Sequence, residues 1–156
     1  MYILQPLLRI REMREDRATG ELTAARQALA VAEETLAARR HDLAVFEETK
    51  EERRDRIYAT VIGRAVSREQ LDMATEGVAR IDEEGALKAD NVARAEAERQ
   101  AREKAADAAR ARLNLATKNR MKIDEHRAVW QTEEAKVQED RAEAELEDFT
   151  VRKEEI

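Results

Sequence analysis

Cysteine is absent from the 156 residues, which excludes disulfides and thiolate metal sites and fits a reducing compartment. Proline occurs once, as Pro6, and glycine four times, as Gly20, Gly63, Gly77 and Gly85, so little in the chain stops a helix. Aromatic residues make up 3%, and large apolar side chains are too few to fill a three-dimensional core. No long apolar run exists either. The N-terminal patch Tyr2 to Leu8 is broken by Gln5 and Pro6 and lacks an extended hydrophobic region. It reads as neither a signal peptide nor a membrane span, so a cytoplasmic chain is expected.

What is present is charge and alanine. Charged residues make up 41% of the chain and mean hydropathy is -0.77. Alanine is the commonest member of the hydrophobic fraction. Such charge is compatible with disorder, but the abundant residues (Ala, Arg, Glu, Leu) are the best helix formers. Helical periodicity in such a composition signals a coiled coil. The net charge of -6 is uneven: residues 131–156 hold 4 basic and 10 acidic side chains, whereas residues 1–130 are close to balanced. Arg110, Arg112, Lys118, Arg120 and Lys122 form a local basic stretch. On an acidic chain it reads as a solvated helix face, and nucleic-acid binding is not expected.

Leu22, Leu29, Leu36 and Leu43 fall seven apart, with Ala25, Ala32 and Phe46 at the alternating positions and Ile57 in phase beyond them. That spacing keeps one apolar stripe facing a partner helix. A second series holds Leu71, Val78, Val92, Ala106 and Leu113 at one seam position. Ala74, Ile81, Ala95, Ala109, Ala116, Ile123, Trp130, Val137, Ala144 and Val151 hold the other. Arg39, Lys50, Arg53, Lys88, Arg99, Arg102 and Arg120 interrupt the stripes, where long basic stems can lie across a seam and reach outward to water.

Between the two series, Gly63 suits the left-handed residue after a helix. Ser67 and Gln70 have the spacing of a capping box. One helix therefore stops and another starts within a short connection, as between antiparallel neighbours. Gly77 and Gly85, inside an otherwise continuous pattern, read as soft spots. The sequence predicts an all-α fold, a long two-helix antiparallel coiled-coil hairpin forming a single domain over 1–156. Its first arm is residues 7–62, its tip 63–67 and its second arm 68–150. A turn centred near residue 65 sets Leu22 near Ala108, Leu43 near Leu87, Ile57 near Met73, and Leu8 near Lys122 and Ile123. The arms span roughly 80 Å and 125 Å at ~1.5 Å per residue, which leaves an overhanging C-terminal helix. The stripe continues there as Trp130, Val137, Ala144 and Val151, and an apolar stripe without an internal partner asks for an external one.

The chain contains no Gly-rich phosphate loop, no His-Glu-x-x-His and no nucleophile elbow. His41 and His126 are far apart and unclustered, and paired acids such as Glu133-Glu134 are expected to be solvated. No catalytic residue, cofactor or metal site is expected, and the chain is read as a non-enzyme. Trp130 suits two roles, a clamp on Tyr2 and Ile3 or an anchor for a partner. Tyr58 near the tip is a further exposed-aromatic candidate. Expected partner-binding residues are Trp130, Glu133, Glu134, Val137, Ala144, Phe149 and Tyr58.

The segment from Tyr58 through Ile62-Gly63-Arg64-Ala65-Val66-Ser67 to Leu71 resembles a known family. So does the run from His126-Arg127-Ala128-Val129-Trp130 through Glu133-Glu134-Ala135 and Gln138-Glu139-Asp140 to Glu147-Asp148-Phe149. Together they resemble the YscO family of type III secretion systems, related in architecture to the flagellar protein FliJ. The resemblance implies an antiparallel hairpin like the rotor stalk of rotary ATP synthases. Such a stalk would sit at the base of the secretion apparatus and bind the hexameric secretion ATPase, the export gate and translocator chaperones. It would carry no nucleotide and no membrane span, and a monomer is expected. Two alternatives stand beside it. One is a self-assembling structural coiled-coil scaffold. The other is a holdase-like chaperone, which would need exposed apolar tips, whereas this tip reads as small and polar apart from Val66.

Overall fold

The computed structural model describes residues 2–154, with side chains described through Glu147. Two helices, α1 (Gln5–Tyr58, 54 residues) and α2 (Arg68–Glu154, 87 residues), account for the regular structure among the described residues. They pack against one another as an all-α antiparallel hairpin, the fold class the heptads predict. The chain divides into two compact units to which both helices contribute. One joins the residues up to Leu22 with those from Ala109 on, and the other is Thr23–Ala108.

In the unit formed by the chain's two ends, Leu8 is fully buried, and Ala18, Leu22 and Ala109 are nearly so. Leu113, Ala116 and Ile123 are half-buried on the α2 side. The apolar stripe of α1 is interrupted at Glu15, which would be unfavourable without partners. Thr117 Oγ1 donates to Glu15 Oε1 at 2.8 Å, and Arg120 Nε donates to Oε2 while its other arm reaches Asp124. These bonds hold the Glu15 carboxyl below its ordinary value, the Thr117 hydroxyl first and the Arg120 guanidinium after it.

In the second unit Ala32, Leu36 and Phe46 of α1 are buried, as are Ala74, Ile81, Ala95 and Ala106 of α2. Alanine on the α2 side allows close approach, so most of the large apolar surface comes from α1. Phe46 is the largest buried side chain here, and its truncation to alanine is expected to remove about 3–5 kcal/mol. Arg53 stacks over its ring at 5.6 Å and donates to Glu84 at 2.7 Å, while Arg40 crosses to Glu96 at 3.1 Å. Arg99, a basic intrusion in the α2 stripe, is half-buried and ends between Glu96 and Glu103. The stem is covered and the charge stays in water, as expected for such a position.

The connection follows its local chemistry. Thr60 N donates to Ile57 O and Val61 N to Tyr58 O, three-residue bonds that tighten the end of α1. Gly63 then takes φ 72°, the only positive φ among the described residues. Ser67 and Gln70 form the reciprocal capping box, with Ser67 N to Gln70 Oε1 at 2.9 Å and Gln70 N to Ser67 Oγ at 3.2 Å.

Two expectations are corrected. Ile57 lies against Gly77, one helical turn beyond Met73, because residues 59–62 extend the turn-like path of α1 alongside the start of α2. Gly77 and Gly85 are also not soft spots. A Cβ on Gly77 would stand 3.1 Å from Ile57 Cδ1, and one on Gly85 would stand 2.7 Å from Phe46 Cε1. They are the hollows that receive Ile57 and Phe46 of α1.

Candidate partner-docking surfaces

Helix α2 continues well beyond the residue that meets the start of α1. Tyr2 is buried, and its ring centroid lies 5.4 Å from that of Trp130 and 5.8 Å from that of His126. Its hydroxyl is 2.9 Å from His126 Nδ1. Trp130 is thus half-buried in a clamp on the N-terminal segment, one of the two roles its position allowed. Ile3, the other expected partner, is 83% exposed.

Beyond Trp130 every described side chain, from Gln131 to Glu147, is exposed. Thr132 Oγ1 bonds back to Ala128 O, and Gln138 Nε2 donates to Glu134 Oε1, both local to the helix. The stripe residue Val137 is 41% exposed, and Glu133, Glu134 and Ala144 are exposed around it. The side chains of Phe149 and Val151 lie outside the described residues. The overhang therefore presents an isolated acidic helix with an apolar line and no covering helix among the described residues.

Tyr58 belongs to a different surface, within the Thr23–Ala108 unit. Tyr58, Val61 and Ile62 line an apolar groove of about 520 Å³ with Leu71, Ala74 and Val78. Ile62 is 69%, Leu71 51% and Tyr58 38% exposed. Nearby, the Arg54 guanidinium is held above its ordinary range, chiefly by Asp82. Sequence reasoning treated this tip as polar and missed the groove. Its signal was Ile62 and Leu71 on either side of the connection, each off or at the frayed end of its stripe.

The remaining expectations concern polar chemistry. His41 is exposed, and His126 is exposed but bonded to Tyr2. Among the described residues no group of three His, Cys, Asp or Glu is placed to hold a metal ion. No described helix is long and apolar enough to cross a membrane. From the basic stretch, Arg112 answers Glu21 at 3.5 Å and Arg120 answers Glu15, so two of its five charges balance acids on α1.

Fold and surfaces together define a two-helix hairpin whose distinctive features are an uncovered acidic helix and shallow apolar grooves. The family model described as type III secretion protein YscO matches residues 4–152, and the chain belongs to the YscO family of type III secretion proteins. A solved structure described as a YscO homolog from Chlamydia trachomatis shares the fold. It has a TM-score of 0.75 at 20% identity, covering 95% of this chain and 91% of that one. Among curated proteins none matches significantly in sequence.

Proposed function

We propose that this type III secretion protein is a coupling stalk whose C-terminal overhang docks on the hexameric secretion ATPase. The observation that carries the reading is the run Gln131–Glu147, exposed at every described position while its apolar stripe continues through Val137. A helix without a covering partner does not keep such a stripe for its own stability. Its acidic excess suits docking on a basic surface, with association weakened by salt. In this reading the protein is cytoplasmic and monomeric, stands at the base of the apparatus, carries no nucleotide and is not itself an enzyme. Glu133, Glu134, Val137, Ala144 and Phe149 form the contact. Trp130 supports it from the clamp with Tyr2.

The tip groove favours a second contact. Exposed Ile62 and Leu71 beside Tyr58 suit an apolar segment of the export gate or of a translocator chaperone.

The test is capture of the purified ATPase by the full chain carrying Val137→Asp and Ala144→Asp. Lost capture with unchanged helix content supports the stalk reading. Capture equal to the parent overturns it, and a stable dimer of the parent chain in light scattering gives preference to the scaffold reading.

A further inference from the structure

In the unit that joins the chain's ends, a groove of about 210 Å³ runs between the two helices. It is lined by Arg11 and Arg14 from α1 and by Arg112, Leu115, Ala116 and Asn119 from α2. Two of its three arginines lack an ion pair among the described residues. Most guanidiniums find a carboxylate three or four residues away or across the seam. Among the described residues Arg11 and Arg14 pair with none at ion-pair distance, and Arg112 reaches only Glu21 at 3.5 Å.

The cause lies in the local sequence. The residues three and four away from Arg14 are Ile10, Arg11, Arg17 and Ala18, so no helical neighbour can neutralise it. Arg11 has one such neighbour, Glu15, but that carboxylate is turned across the seam to Thr117 and Arg120. Arg11 Nε is buried and has no hydrogen-bond partner. An unsatisfied guanidinium N–H carries a desolvation cost. Beside these donors Leu115 is 59% exposed, with Ala116 next to it.

We propose that this groove is a docking site for an acidic peptide segment of a partner protein. Arg11 and Arg14 take its carboxylates, and an apolar neighbour rests on Leu115 and Ala116. Guanidiniums match carboxylates in charge and geometry. No aromatic ring lines the groove for base stacking, which does not suit a single-stranded nucleic acid. The site is separate from the surfaces assigned to the ATPase, gate and chaperones, and stands or falls independently of that assignment.

The experiment is fluorescence anisotropy of the full chain with a labelled helical peptide of alternating glutamate and leucine turns. Its glutamine counterpart and a single-stranded DNA of matching length serve as competitors. The glutamate peptide is expected to bind in a salt-sensitive way. Arg11→Gln with Arg14→Gln should weaken it by about tenfold or more, with unchanged helix content. Arg110→Gln, outside the groove, should leave it unaltered. Absent binding, equal binding of the glutamine peptide, or an unchanged double variant overturns the proposal. So does tighter binding of the DNA, or self-association of the chain that depends on Arg14.

Discussion

The ring of Phe46 rests on the backbone of Gly85, where an added Cβ would stand 2.7 Å from Cε1 and 3.1 Å from Cζ. A helical glycine is worth about 1 kcal/mol less than alanine, so its presence mid-helix has to be offset by packing. Here the absent side chain is the hole into which the largest buried side chain of the Thr23–Ala108 unit fits. Gly85→Ala is therefore expected to destabilise by about 1–3 kcal/mol through overpacking, despite the gain in propensity. Gly20 has nothing within 4 Å of its would-be Cβ, and Gly20→Ala is expected to stabilise by about 0.5–1 kcal/mol. Urea unfolding followed by circular dichroism compares them, and two shifts of the same sign contradict this account.

The Glu15 network makes part of the stability pH-dependent. The Glu15 carboxyl is held below its ordinary 4.5 by Thr117 and Arg120. A depressed folded-state pKa means stabilisation that is complete above about 4.5 and disappears as pH falls through the lower folded value. Melting temperature should thus drop below pH 4.5, and the drop should be smaller in Glu15→Gln, which cannot gain the proton. Parallel curves for the two proteins would show that the seam carboxylate carries no linkage.

At the tip, the capping box ties the first turn of α2 to the connection. Ser67→Ala removes the acceptor for Gln70 N and should cost about 1 kcal/mol. The effect should be local: faster amide exchange at Gln70 and Leu71, with the amides around Leu22 unaltered. Uniformly faster exchange would mean the tip unfolds only with the whole chain.

Trp130 is the sole tryptophan, so its emission reports on the clamp alone. Tyr2→Ala should shift its maximum to the red, because the ring 5.4 Å away shields one face from water. An unshifted spectrum would place the N-terminal segment elsewhere in solution. If the overhang also docks a partner through this end, the same variant should alter capture without changing helix content.

Much of the fold was legible because coiled coils write their contacts into a short repeat. Leu22, Ala32, Leu36 and Phe46 follow from spacing alone, and so do the Ser67 and Gln70 cap and the exposed continuation through Val137, since local chemistry and periodicity decide them. Register was legible only to within about one helical turn. The heptads repeat along each arm without saying where the turn is centred, so a turn set near residue 65 placed Ile57 near Met73, and packing chose Gly77. Gly85 looked like a weakness until Phe46 was seen to fill it, and Trp130 could be assigned to Tyr2 only once both chain ends were in place. The unpaired state of Arg11 also required three dimensions: helical spacing offers it Glu15, and only the neighbouring helix, by supplying Thr117 and Arg120, draws that carboxylate away.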